Sequence, residues 1–125
     1  MSKTKIGEVT DWMRNPAKMF DVSEQTAIVT GASGAFGRGI AITLGAQGAN
    51  VLLASGNEDE LKSVAKDVED VGGKAAYIVR RPDSLVDAEA MRDAALDNFG
   101  SIKMLALEFS SNNLVSFCSC KAVLL

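Results

Sequence analysis

The residues best suited to chemistry lie in one glycine-rich stretch, residues 30–38, with the sequence TGASGAFGR. It follows a short apolar run at residues 26–30 that predicts a β-strand, and it precedes a helical pattern through Ile40, Ala41 and Leu44. Small residues at such a turn let backbone N–H groups approach a phosphate, and the positive end of the helix dipole then faces the anion. Glycines also serve simply to make tight turns, so these residues alone allow a nucleotide site or a structural turn.

The same order of elements is repeated along the chain. In the second unit Asn57 is the expected helix cap, with Glu60 three residues on, and in the third unit Ser84 is the expected cap. Strands alternating with helices of these lengths predict an α/β fold, a doubly wound parallel sheet covered on both faces. The four predicted strands are residues 26–30, 50–55, 74–80 and 102–107.

The composition excludes several kinds of site and partner. The chain has 125 residues and no histidine, which rules out a Ser-His-Asp triad, a Cys–His pair and an imidazole zinc ligand. Its net charge of −3 argues against nucleic acid or an anionic membrane surface as a partner. No run of about 18 apolar residues predicts a membrane span, and the N-terminal residues lack the apolar core of a targeting signal.

The two cysteines, Cys118 and Cys120, lie in a C-terminal stretch of different character, residues 108–125. With one residue between them they are badly placed to form a disulfide, so we expect a reducing, cytoplasmic setting. We predict no metal site, because two thiolates without further Cys or His cannot complete a zinc shell. The tail allows a strand beside the fourth strand, a helix over the open face, or an abnormal ending joined to the rest of the chain by splicing or a frameshift.

Together with its flanks, the glycine-rich turn resembles the TGxxxGxG cofactor turn of the short-chain dehydrogenase/reductase family. Residues 20–23 (FDVS) resemble the family's lead-in, and residues 99–102 (FGSI) resemble its approach to the fourth strand. One motif position departs, because Ala35 stands where the family has its middle glycine. The resemblance implies a Rossmann-like sheet that ends after about four strands, in the order 3-2-1-4. The implied parts are a leader at 1–22, an NAD(P)-binding half-domain at 23–107 and an atypical tail at 108–125.

The resemblance also implies which residues bind a dinucleotide. An acid at the end of the second strand would bind the ribose 2′-hydroxyl of NAD, whereas an arginine would pair with the 2′-phosphate of NADP. The chain has neither at that point, and the nearby Arg38 favours NADP over NAD. Arg81 stands where the family has an adenine-contacting aspartate, and its guanidinium can stack on adenine. The implied cofactor-binding residues are Gly31, Ser33, Gly34, Phe36, Gly37, Arg38, Ser55, Gly56, Asn57 and Arg81.

The family's catalytic groups have no counterpart in these 125 residues. The family uses a serine, then a tyrosine with a lysine four residues on, in which the tyrosine acts as acid and base. The single tyrosine here, Tyr77, lies in the predicted third strand, and its fourth neighbour is Arg81. We therefore predict no catalytic residue, and we interpret Asn112-Asn113 as a chance echo of the family's Asn-Asn-Ala-Gly element. The expected function is cofactor binding within an alcohol–carbonyl oxidoreductase.

Two alternatives from other classes stay open. If the fourth strand is the last, Met104, Leu105 and Leu107 lie on an unpaired edge, which is a candidate for homo-oligomerisation. The chain would then be a non-catalytic dinucleotide-binding or edge-association module. The other alternative is a non-functional truncation product. The substrate cannot be predicted, because the residues that would shape its pocket follow the fourth strand.

Overall fold

The computed structural model describes residue 9, residues 11–107 and residues 121–124. The strands are β1 (Thr26–Thr30), β2 (Asn50–Ser55), β3 (Lys74–Val79), β4 (Met104–Leu107) and β5 (Lys121–Leu124). The α-helices are α1 (Asp11–Arg14), α2 (Ala35–Ala46), α3 (Glu58–Asp70) and α4 (Leu85–Phe99), and a 3₁₀ helix spans Pro16–Phe20. Among these helices none is long and apolar enough to cross a membrane.

The strands form one sheet in the order β3-β2-β1-β4-β5, in which the first four are parallel to one another. The predicted α/β fold and the strand order 3-2-1-4 are therefore confirmed. The register aligns the carboxyl ends of the first three strands, since Thr30 pairs with Ala54 and Ser55 pairs with Val79. The turns that follow β1, β2 and β3 consequently meet at the same edge of the sheet.

The prediction that β4 forms an unpaired edge is wrong. Strand β5 lies antiparallel along it, with Met104 opposite Leu124 and Leu107 opposite Lys121. The pairing satisfies backbone N–H and C=O groups that a terminal β4 would leave to solvent or to another chain. The β4 edge, our candidate for homo-oligomerisation, is therefore occupied by β5. The predicted Cys118, Cys120 and Asn112-Asn113 features lie outside the described residues.

Both faces of the sheet are covered, which explains why its strands are almost continuously apolar. On one face, Val29, Val51 and Leu53 pack against buried residues of α3 and Ala41 of α2. On the other face, Ile28 and Leu52 pack against Met91 and Ala95 of α4. The crossover helices α2 and α3 therefore share one side of the sheet, and α4 covers the opposite side.

Helices α2 and α3 pack so closely that one contact requires a residue without a side chain. A Cβ atom placed on Gly45 of α2 would lie 2.7 Å from Cγ1 of Val68, which is fully buried in α3. A Cβ on Gly73, just after α3, would lie 2.6 Å from Cα of Gly45. This contact fixes where α2 lies over the sheet, and so where its N-terminus points.

Candidate functional site

A cleft of about 290 Å³ lies at the carboxyl edge of the parallel strands. It is enclosed by the turns that follow β1, β2 and β3. In open α/β sheets, ligands bind in this position, outside the carboxyl ends of the strands. The lining residues are Gly31, Ser33, Gly34, Ala54, Ser55, Gly56, Arg80, Arg81, Pro82 and Asp83.

The first wall of the cleft is the turn between β1 and α2. Gly31 has a φ of 64°, in the left-handed region that residues with a Cβ adopt only with strain. The next residue, Ala32, is fully buried and donates its N–H to the Ala54 carbonyl at 3.3 Å, which ties the turn to β2. Gly34 donates its N–H to the Gly31 carbonyl at 3.0 Å and is the N-cap of α2. The chain thus turns tightly between small residues and presents backbone to the cleft.

The N-terminus of α2 differs from those of the other two crossover helices. Its N-cap residue is Gly34, which has no side chain to act as a cap, and its first turn has no acidic residue. In α3, by contrast, the Asn57 side chain accepts from the Glu60 N–H at 3.3 Å, and in α4 the Ser84 hydroxyl accepts from the Asp87 N–H at 3.2 Å. Both of those predicted caps are confirmed. The first turn of α2 is therefore the one that begins at a glycine and carries no acid, and the positive end of its dipole favours an anion.

The end of β2 contributes hydroxyl groups but no charge. The Oγ atoms of Ser33 and Ser55 lie 2.7 Å apart, so the first turn and β2 are joined by a hydrogen bond. The Asn57 N–H donates to Ser55 Oγ at 3.4 Å. Hydroxyls both donate and accept, which suits contact with a sugar. Ser55, Gly56 and Asn57 include no acid, and the first carboxylates after β2 belong to the first turn of α3.

The arginines near the turns have different surroundings. Arg38 extends to α3, where it forms an ion pair with Asp67, and it does not line the cleft. Arg80 lines the cleft and forms an ion pair with Asp87 at 2.9 Å. Arg81 also lines the cleft, lies against Gly56 and forms no ion pair within the described part of the chain.

The ion pair of Asp87 makes a pH-dependent contribution to stability. Hydrogen bonds from the Ser84 hydroxyl and then from Arg80 hold the pKa of Asp87 below its usual value. A lowered folded pKa stabilises the protein above the unfolded pKa of about 3.9, and this stabilisation is lost as the pH falls through the folded pKa. Asp87→Asn should therefore lower the thermal unfolding midpoint at neutral pH, with the difference from wild type shrinking below about pH 4. A difference that stayed constant down to acid pH would contradict this role.

The structure brings only part of the predicted site together. The predicted residues that line the cleft are Gly31, Ser33, Gly34, Ser55, Gly56 and Arg81. Phe36 is 62% exposed on the outer side of α2, Gly37 is buried within that helix, and Asn57 is occupied as a cap. Four further lining residues were not predicted from the sequence: Ala54, Arg80, Pro82 and Asp83. The last three directly follow β3, so the alignment of carboxyl ends in a parallel sheet was the signal that would have found them.

A doubly wound parallel sheet with a glycine-rich turn before its first crossover helix is a Rossmann-like fold. The family model described as short chain dehydrogenase matches residues 25–114. The chain belongs to the short-chain dehydrogenase family. Its glycine-rich turn, β2 and β3 all fall within the matched residues.

The curated relatives are oxidoreductases of greater length. An uncharacterized oxidoreductase of Mycobacterium tuberculosis is 35% identical over 96 residues, which cover 75% of this chain and 34% of the relative. The (−)-trans-carveol dehydrogenase of Rhodococcus erythropolis is 34% identical over 100 residues, covering 70% of this chain and 36% of the relative. The chain thus spans about a third of the length of these two relatives.

Solved structures share the fold over two thirds or more of this chain. The crystal structure of NAD⁺-bound xylitol dehydrogenase matches with a TM-score of 0.64 and 26% identity, covering 67% of this chain and 32% of that one. The apo-form glucose dehydrogenase of Caenorhabditis elegans matches with a TM-score of 0.65 and 20% identity, covering 74% of this chain and 40% of that one. At this identity, the second likeness concerns the fold alone.

Proposed function

We propose that the chain binds a nicotinamide dinucleotide in the cleft at the carboxyl edge of its sheet, as the cofactor-binding part of an alcohol–carbonyl oxidoreductase. The observation that carries this proposal is the uncapped N-terminus of α2 behind the Gly31–Gly34 turn. Membership of the short-chain dehydrogenase family and the likeness to an NAD⁺-bound xylitol dehydrogenase support it. A cytoplasmic location is part of the same proposal.

The residues of the cleft fit the parts of a dinucleotide. Gly34 and the first turn of α2 would hold the pyrophosphate, because the positive end of the helix dipole favours an anion there and the first turn has no acid to repel it. Ser33, Ser55 and Gly56 would lie beside the adenosine ribose, where the hydroxyls donate and accept. When bound, the nicotinamide ring would supply the hydride acceptor or donor. The lack of an acid at residues 55–57, where β2 ends, favours NADP over NAD.

We propose no catalytic residue among those described. The Tyr77 hydroxyl donates to Glu58 at 3.4 Å, and Tyr77 does not line the cleft. Its position on β3, at the edge of the sheet, places it beside α3 instead. We therefore expect this 125-residue segment to bind the dinucleotide without turning it over.

Dinucleotide binding should be measurable as a gain in stability. A ligand that binds only the folded chain raises the free energy of unfolding by about 1.4 kcal/mol at ten times its Kd. Urea unfolding with increasing NADP should therefore show a midpoint that rises with ligand concentration. Ribose 5-phosphate, which lacks the adenine, pyrophosphate and nicotinamide, is the control and should shift the midpoint far less. An unfolding midpoint independent of both NADP and NAD would refute the proposal.

A further inference from the structure

The guanidinium group of Arg81 lies directly over Gly56, the first residue after β2. A Cβ atom placed on Gly56 would come within 2.8 Å of Arg81 Nε, 3.2 Å of Nη2 and 3.3 Å of Cζ. Arg81 itself follows β3, the neighbouring strand, and both residues line the cleft. The lack of a side chain at position 56 is therefore what lets the guanidinium occupy the space at the end of β2.

The other two arginines near the cleft are already paired with carboxylates. Arg80 is paired with Asp87, and Arg38 is paired with Asp67. On α3, Glu58 accepts from the Tyr77 hydroxyl and pairs with Lys62 at 3.4 Å. Within the part of the chain that the structure describes, Asp83 is the one charged residue that lines the cleft besides the two arginines. Arg81 is thus the cation of the cleft that no carboxylate holds within residues 11–107.

We propose that Arg81, seated on Gly56, binds the 2′-phosphate of the adenosine ribose and makes the cleft select NADP over NAD. This inference rests on the proposed function. An acid at the end of β2 would accept the 2′-hydroxyl of NAD, but here that space holds a guanidinium. The planar guanidinium donates two parallel hydrogen bonds to a phosphate, and NAD offers only a hydroxyl at the same point.

The test compares the affinities of wild type and Arg81→Ala for NADPH and for NADH. Binding is measured by the change in fluorescence of the reduced nicotinamide. Wild type should prefer NADPH, and Arg81→Ala should lower the affinity for NADPH about tenfold or more relative to the affinity for NADH. Arg81→Lys should keep part of the preference for NADPH, since lysine keeps the positive charge but lacks the planar guanidinium that donates two parallel hydrogen bonds. Arg92→Ala on α4 is the matched control, because among the described residues Arg92 pairs only with its neighbour Asp93 and does not line the cleft.

Three further measurements test whether Arg81 itself binds the 2′-phosphate. Gly56→Ala should reduce the NADPH preference with the charge still present, because the new methyl displaces the guanidinium. The fragment 2′,5′-ADP should compete better than 5′-AMP for wild type but not for Arg81→Ala, a readout that needs no nicotinamide. Rising salt should erode the wild-type preference, since Arg81 is exposed and its attraction is screened.

Different outcomes would overturn the role of Arg81 and the proposed dinucleotide binding. Equal affinity of wild type for NADPH and NADH would overturn the role of Arg81, as would a preference that survives Arg81→Ala. A preference that is lost in Arg38→Ala and kept in Arg81→Ala would assign the phosphate contact to Arg38 and overturn the proposal. Binding of neither dinucleotide would instead refute the proposed function.

Discussion

Gly34→Asp should weaken dinucleotide binding about 100-fold or more without weakening the fold. Gly34 is the N-cap of α2, and its φ of −76° and ψ of 163° are extended values that any residue adopts. An aspartate is among the best N-cap residues, and its charge is favourable at the positive end of a helix dipole. That same charge would occupy the position proposed for the pyrophosphate and repel it. We expect the Kd for NADP to rise about 100-fold or more, which corresponds to about 2.7 kcal/mol.

The matched control for this variant is Gly34→Asn. Asparagine caps a helix about as well as aspartate but carries no charge. If the effect is electrostatic, Gly34→Asn should bind NADP far better than Gly34→Asp, while both unfold in urea at a midpoint no lower than that of wild type. Equal loss of binding in the two variants would attribute the effect to the size of the side chain instead. Unimpaired binding by Gly34→Asp would place the phosphates away from α2.

Gly45→Ala should destabilise the protein, although alanine is the better helix former. The added Cβ would lie 2.7 Å from Cγ1 of Val68. Val68 cannot easily yield, since it is fully buried and its β-branched side chain has one favoured rotamer in a helix. Overpacking of this kind costs about 1–3 kcal/mol, against a gain of about 0.5–1 kcal/mol from replacing a helical glycine. The central values of these two ranges leave a net loss of about 1 kcal/mol in urea unfolding.

The same helix supplies the control for this prediction. A Cβ on Gly39 of α2 would meet no atom within 4 Å. Gly39→Ala should therefore show only the gain in helix propensity and stabilise the protein by about 0.5–1 kcal/mol. The two substitutions are chemically identical and should have opposite signs. If both stabilised the protein, the close packing of α2 on α3 would not hold in solution.

Local patterns predicted most of the fold because each element carries its own signals. Residues 26–30 and 50–55 form strands with the predicted bounds, since short apolar runs bounded by turns are characteristic of a buried parallel sheet. Asn57 and Ser84 act as caps because their side chains bond to N–H groups three residues away. A cap and the N–H group it binds are three residues apart, so a short stretch of sequence contains both partners.

Contacts between distant residues were the part that could not be predicted. Arg38 is paired with Asp67, 29 residues later, so its closeness to the glycine-rich turn in sequence did not place it in the cleft. Arg81 reaches Gly56 only because β3 lies beside β2 in the sheet. The antiparallel pairing of β5 with β4 likewise depends on tertiary contact, because the four residues of β5 carry no pattern that fixes a partner.

The central claim is that the cleft behind the α2 N-terminus binds a nicotinamide dinucleotide. Isothermal titration of NADP into the wild-type chain, at low salt, tests it most directly. The account predicts saturable binding with a micromolar Kd that is lost in Gly34→Asp and retained in Arg92→Ala. Absence of binding by the folded wild-type chain at millimolar NADP and NAD, or equal binding by Gly34→Asp, would contradict it.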